Sequence, residues 1–362
     1  MASPSYNPCG FVELGRLILT LGGQMSPAST ARAARRPPSQ RELASKKIVV
    51  IGGGTGSFTI LSGLKQYPAQ LTAVVTMTDS GGSSGRLRDE FGVLPPGDLR
   101  QCLLALTPDD HARATLKSLF EYRFNKGNGL HGHSFGNLFL TVLTDVAGRT
   151  DKAVEEMGHL LGIKGRVLPV TLTDTNLCAE LANGNTVVGE AHIDIRTVDP
   201  DVPIKRVYLQ RKAQVLPETA RAIAQADVIV IGPGDLYTSV IPNLLVSGVP
   251  EAIRRSKAKK VYICNLVTKH GETDGYTASR FIATVLKYLG DAKALDYALV
   301  NTAPVPARLA KKYAGERATP VAFDRAACER LVPNIVARPL LATNHYLRHD
   351  SAALAAAVIG FL

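Results

Sequence analysis

Lys47-Ile48-Val49-Val50-Ile51-Gly52-Gly53-Gly54-Thr55-Gly56-Ser57 is the stretch from which the fold follows. Four consecutive aliphatic residues without polar alternation describe a strand buried on both faces, the pattern of parallel sheets. Glycines end the strand, and a helix-like apolar stretch follows them. Residues 71–77, 228–231, 260–264 and 298–301 repeat the strand texture, with helix-like segments between them. Strands alternating with helices predict an α/β layered fold: a mainly parallel sheet with helices on both faces. One segment breaks this rhythm, because residues 167–173, 177–181, 186–192 and 205–210 are strand candidates too closely spaced for crossover helices. Asn183-Gly184 supplies a turn signal between the middle pair. An antiparallel insertion over roughly residues 165–212 is therefore expected within a body spanning 46–362.

The 362 residues are 45% hydrophobic and 20% charged, which excludes disordered, collagen-like and fibrous classes. Residues 1–45, rich in Ser, Pro, Ala and Arg, read as a flexible basic extension, and Met25 offers a later start. Five bases and two acids fall in that extension, leaving +8 of the formal +11 on the body. A basic body suits an anionic partner. No Lys/Arg block interleaved with aromatics is present, so nucleic acid is not the expected one. Five scattered cysteines without a C-x-x-C pair fit neither a disulfide framework nor a zinc ribbon, and a reducing cytoplasm is the expected home. The run 11–21 is broken by Glu13 and Arg16 and reads poorly as a signal peptide, while the apolar C-terminus is too short to span a bilayer.

Three glycine and hydroxyl loops at strand ends carry the candidate chemistry. Gly52, Gly53, Gly54, Thr55 and Gly56 let the backbone approach a phosphate, whose charge the N–H groups opening the next helix can receive. Neither G-x-G-x-x-G nor G-x-x-x-x-G-K-[ST] is present, so the site is not specifically one for NAD or ATP. A plain tight turn is the bland alternative. After the second strand, Asp79 precedes Gly81, Gly82, Ser83 and Arg86: a carboxylate for ribose hydroxyls or hydrated Mg²⁺, then donors for a diphosphate. Gly232, Gly234 and Tyr237 lie in a third such loop, and Asn265 ends a further strand with an amide able to read a base or ribose edge. Asp98 opens a helix and is a candidate ligand-binding residue, although on pattern alone it reads first as the helix cap. Gly132-His133-Ser134-Phe135-Gly136 matches the hydrolase nucleophile elbow, with His345 and Asp350 as conceivable partners, but a polar glycine loop precedes it instead of a buried strand. A helix cap at Ser134 is the favoured reading.

The strings GGGTG, MTDSGGSSGRLRDEFGVLPPGDLRQCL, HSFGNLFL, IGPGDLYTSVIPNLLV and CNLVTKHGETDGYTAS resemble the YvcK proteins, or gluconeogenesis factors, within the wider family of CofD 2-phospho-L-lactate transferases. The likeness runs from about residue 46 to the C-terminus. It implies a Rossmann-like core binding a nucleotide sugar, with UDP-N-acetylglucosamine the expected ligand and GDP or NAD as alternatives. It also implies a role linking carbon metabolism with cell-wall synthesis and cell shape; a regulatory protein partner and a homo-oligomer are separate expectations. The transferases instead move a phospholactyl-type group from a guanosine diphosphate donor onto a deazaflavin, with Mg²⁺ held by two acids after the second strand. Here that pair is Asp79-Ser80, a departure that favours binding over transfer and leaves Asp79 as the metal candidate. Asn137 in HSFGN and Arg348 in Leu347-Arg348-His349-Asp350-Ser351 match family positions. Arg348 is expected to fork onto a diphosphate while Ser351 caps the last helix; without the resemblance, Arg348 reads as a surface residue.

Overall fold

The computed structural model describes residues 39–342 and 346–362. Most of the expected extension, with Met25, and His345 lie outside the described residues. The described chain opens with helix α1 (Gln40–Ala44). Ser39 and Glu42 form a capping box, each side chain accepting the other's backbone N–H, and Leu43 is buried beneath it. Residues 39–45, expected in the extension, thus fold with the body.

Ten strands follow: β1 (Lys47–Gly52), β2 (Gln70–Val75), β3 (Arg166–Pro169), β4 (Leu177–Leu181), β5 (Thr186–Val188), β6 (Ile204–Leu209), β7 (Val228–Ile231), β8 (Lys259–Ile263), β9 (Tyr297–Asn301) and β10 (Asn334–Arg338). Seven form one sheet in the order β10-β9-β8-β7-β1-β2-β3, and every pairing in it is parallel. From β1 the chain builds outward through β2 and β3, then returns to place β7 on the opposite side and builds away through β10. The strand order therefore reverses between β1 and β7, where a doubly wound sheet opens a crevice at its carboxyl edge. Ile48 through Gly52 and all of β7 are buried, so both faces of the central strands are covered, as their unbroken apolar runs require.

Helices α2 (Gly54–Leu64), α3 (Gly82–Phe91), α4 (Gly97–Leu106), α5 (His111–Glu121), α6 (Phe135–Ala147) and α7 (Thr150–Leu161) lie between β1 and β3. Ile60, Leu61 and Leu64 of α2 are fully buried, each such side chain contributing about 1.5–3 kcal/mol. The insertion is a three-stranded antiparallel sheet, β5-β4-β6. Two boundaries differ from expectation. Residues 167–173, expected to open the insertion, supply β3, which pairs with β2 in the main sheet because Val167 and Leu168 bury both faces. The expected strand 186–192 stops at Val188, where Gly189 takes φ +99° and starts the short helix α8 (Glu190–Asp194). Strand β10 was not anticipated, since it is a part-exposed edge whose apolar run is only Ile335-Val336-Ala337. Among the described residues no helix is long and apolar enough to cross a membrane.

Candidate functional site

The glycine run after β1 turns the chain into α2. Gly53 stands at the N-cap without a side-chain cap, and Gly54 takes φ +56°. At Gly56 a Cβ would come within 2.1 Å of the Pro233 carbonyl oxygen, so the loops after β1 and β7 touch through bare backbone. No acidic residue sits in the first turn of α2. Its positive end, with the N–H groups of Thr55 and Gly56, faces a crevice of about 790 Å³, while the Gly54 N–H is taken by Asp98. Gly53, Gly54, Thr55, Gly56, Gly234 and Asn265 line it; Gly52 and Gly232 stand just behind, ending their strands. Asn265 Nδ2 donates to the Gly234 carbonyl at 2.9 Å, so this amide holds the second loop in place.

Asp98 is not the cap of α4, because Pro96 occupies that position and Asp98 lies inside the first turn. It points into the crevice, where a Cβ on Gly53 would fall 2.4 Å from its Oδ2. Burial, then the charge of Asp79, push Asp98 up to about 8, against the Gly54 N–H that donates to its carboxylate. Asp79 also lines the crevice, its Oδ1 accepting the Gly81 N–H at 2.9 Å. Glu190 of the insertion joins them, pushed up to about 8 by burial first and Asp79 second. Ser80, where the resemblance has an acid, accepts the Ala191 N–H on Oγ at 3.0 Å, while the Glu190 carboxylate accepts the Ser80 N–H. Position 80 therefore anchors the insertion. The crevice floor is acidic although the body is basic, which the composition did not suggest.

Several expected contacts face elsewhere. Ser83 Oγ pairs with His133 Nδ1 at 3.1 Å, and Arg86 donates to the His131 carbonyl. Gly82 opens α3 with φ +46°. Asn137 accepts from Arg100 Nε at 2.8 Å and is buried, bracing α4 against α6. Tyr237 bonds Tyr276 through their hydroxyls in the core. Of the second loop only Asp79 lines the crevice. Local spacing revealed a phosphate-type composition there but not which face it presents.

The hydrolase arrangement is absent among the described residues. Ser134 is buried at the start of α6, with Oγ at 3.5 Å from the Phe120 carbonyl, and His133 pairs with Ser83 instead. Ser134 holds the N-cap position without a side-chain cap bond. Asp350, not Ser351, caps the C-terminal helix (Ser351–Ile359) by accepting the Ala353 N–H, while Ser351 donates to the Thr59 carbonyl.

Arg348 stands exposed on the rim, its guanidinium 5.2 Å from the Tyr346 ring centre. Among the described residues no carboxylate forms an ion pair with it. His349, next to it, is buried and pushed down to about 4 by burial, so its ring is neutral at pH 7.

The sequence reading missed the far wall. Lys269 Nζ sits among Asp194, Asp235 and the buried Glu272, at 2.8 Å from Asp235 and 3.4 Å from Glu272. Burial works against this ammonium, but the carboxylates outweigh it and hold its pKa above the ordinary lysine range. The three acids converge closely enough to hold a cation, and Lys269 is that cation. It ties α8 to the loops after β7 and β8. The acids within Glu190–Asp194 and the KHGETD string were the available signals.

A family model described as 2-phospho-L-lactate transferase CofD matches residues 48–341. A gluconeogenesis factor from Bacillus subtilis is 41% identical over 318 residues, 87% of this chain and 98% of its own length. One from Halalkalibacterium halodurans is 44% identical over 87% of this chain and 96% of its own. A crystal structure of a UPF0052-family protein from Bacillus halodurans superposes with TM-score 0.82 at 42% identity, covering 87% of this chain and 99% of that one. Sequence likeness over most of both lengths, with the same fold in a solved relative, means that this chain belongs to the CofD family and stands among its gluconeogenesis factors.

Proposed function

We propose that the protein is a nucleotide-sugar binding regulator whose ligand resembles UDP-N-acetylglucosamine, and which links central carbon metabolism with cell-wall synthesis and cell shape in the cytoplasm. The observation that carries this is the N-terminus of α2, with the N–H groups of Thr55 and Gly56 facing a crevice at the β1/β7 reversal, Gly234 beside them and Arg348, without an ion pair among the described residues, on the rim. A diphosphate fits that arrangement, receiving N–H groups and positive dipole from α2 and a bidentate guanidinium from the rim. Asp98, protonated near neutral pH, adds an O–H donor where a carboxylate would repel phosphate.

Binding without turnover is favoured by Ser80, which is spent on holding the insertion. One observation supports a second reading, an Mg²⁺-dependent transfer of a phospholactyl-type group from a guanosine diphosphate donor. Asp79 stands close enough to raise the proton affinity of both Asp98 and Glu190. Carboxylate oxygens completed by ligand phosphates suit Mg²⁺, and Asp79 would hold it.

A thermal-shift panel of UDP-sugars, GDP, NAD and NADP, with and without Mg²⁺, tests the reading, because a ligand of the folded state raises stability by mass action. A rise with UDP-N-acetylglucosamine is expected. No rise with any of them refutes the site; turnover of deazaflavin with a guanosine diphosphate donor establishes the second reading.

A further inference from the structure

We propose that Arg196 is a specificity-determining residue of this crevice and binds a neutral carbonyl oxygen of the ligand; this rests on the nucleotide-sugar reading above. Arg196 follows α8 on the insertion wall, lines the crevice and is 8% exposed. Its Nη2 donates to the carbonyls of Pro200 at 3.0 Å and Val202 at 2.7 Å. Nε and Nη1 are buried without an acceptor. A guanidinium carries five N–H donors, so three of this one's are unfilled, and buried donors left unfilled are costly. Among the described residues no carboxylate forms an ion pair with it. Gly271 packs beside this guanidinium without a side chain, and an added Cβ there would stand 3.5 Å from Nε and from Nη2.

Charge decides which acceptor this is. Asp194, Asp235 and Glu272 occupy the same wall and already share Lys269, so a further anion would meet their field. A neutral carbonyl avoids that repulsion, and both acceptors that Arg196 now holds are carbonyls. A nucleotide sugar offers such an oxygen from an acetamido substituent on the sugar or from the pyrimidine ring. The phosphates are taken by the opposite wall at α2 and Arg348, which leaves these outer parts of the ligand for the insertion.

Calorimetric titration of UDP, UDP-glucose and UDP-N-acetylglucosamine into wild type, Arg196→Met and Arg196→Lys tests the assignment. Losing a charge-assisted bond weakens binding about ten- to a hundred-fold. If the oxygen is the acetamido one, Arg196→Met loses affinity for UDP-N-acetylglucosamine alone and with it the wild-type preference over UDP-glucose. If it belongs to the base, all three ligands weaken together. Arg196→Lys keeps the charge and recovers only part, since an ammonium lacks the planar fork. Circular dichroism of the unliganded variants records folding, and if Arg196→Met does not fold, Arg196→Lys carries the comparison. A folded variant that binds all three ligands as wild type does overturns the proposal. Wild type binding none of them refutes the nucleotide-sugar reading itself.

Discussion

Arg348→Ala separates a ligand contact from a structural one. The side chain is exposed, and among the described residues its one aromatic contact is with Tyr346, the guanidinium 5.2 Å from the ring centre. An exposed cation–π contact is worth about 0.5–1 kcal/mol, so truncation lowers the stability of the unliganded protein by no more than that. If the guanidinium forks onto a diphosphate, the same truncation removes charge-assisted hydrogen bonds worth about 1.5–3 kcal/mol, or ten- to a hundred-fold in affinity. Binding therefore falls by more than folding does. Titration calorimetry with UDP-N-acetylglucosamine and urea denaturation of the unliganded variant measure the two terms separately, and Arg348→Lys should recover only part of the affinity. Unchanged affinity with lowered stability would make Arg348 structural and would refute the placement of the diphosphate at the rim.

Gly56→Ala should cost about 1–3 kcal/mol of stability as well as affinity, because the new methyl would stand 2.1 Å from the Pro233 oxygen and force the two phosphate loops apart; denaturation and titration read both. Asp98→Asn should flatten the pH dependence of stability. Asp98 keeps its proton in the folded state up to about pH 8 but loses it near 3.8 when unfolded, so its contribution is full below about pH 4 and is lost as pH rises towards 8. The variant should thus be the more stable protein at pH 8 and little changed at pH 4, as melting curves at the two values would record; equal slopes for both proteins would contradict the shift. Lys269→Met strips the cation from three acids, one of them fully buried, and should cost about 3 kcal/mol by denaturation, with Glu272→Gln in the same chain recovering part of it.

The strands at the sheet centre were legible because they are buried on both faces. Ile48 to Ile51 and Val228 to Ile231 carry no polar residue, so sequence and environment agree. At the edges that agreement weakens: β10 is partly exposed and passed unnoticed, while β3 was assigned to the insertion because its apolar run fits either sheet. The site divides in the same manner. The glycines at 52–56 announce themselves through close backbone approach. Asp98 was a candidate ligand residue that local pattern could not separate from a cap, since an acid in a first helical turn looks the same whether it caps the helix or reaches a cleft. Glu190, Arg196 and Lys269 meet only through the packing of the insertion onto the sheet, and no local spacing encodes that.

The crystal structure of the complex with UDP-N-acetylglucosamine tests the central claim most directly. The diphosphate should lie between the N-terminus of α2 and Gly234, with its oxygens on the N–H groups of Thr55 and Gly56 and the Arg348 guanidinium closed over it. A ligand found instead in the cavity at the opposite edge of the sheet, beside Lys47, Lys65, Lys164 and Arg166, with the crevice at the β1/β7 reversal free of it, would contradict the account.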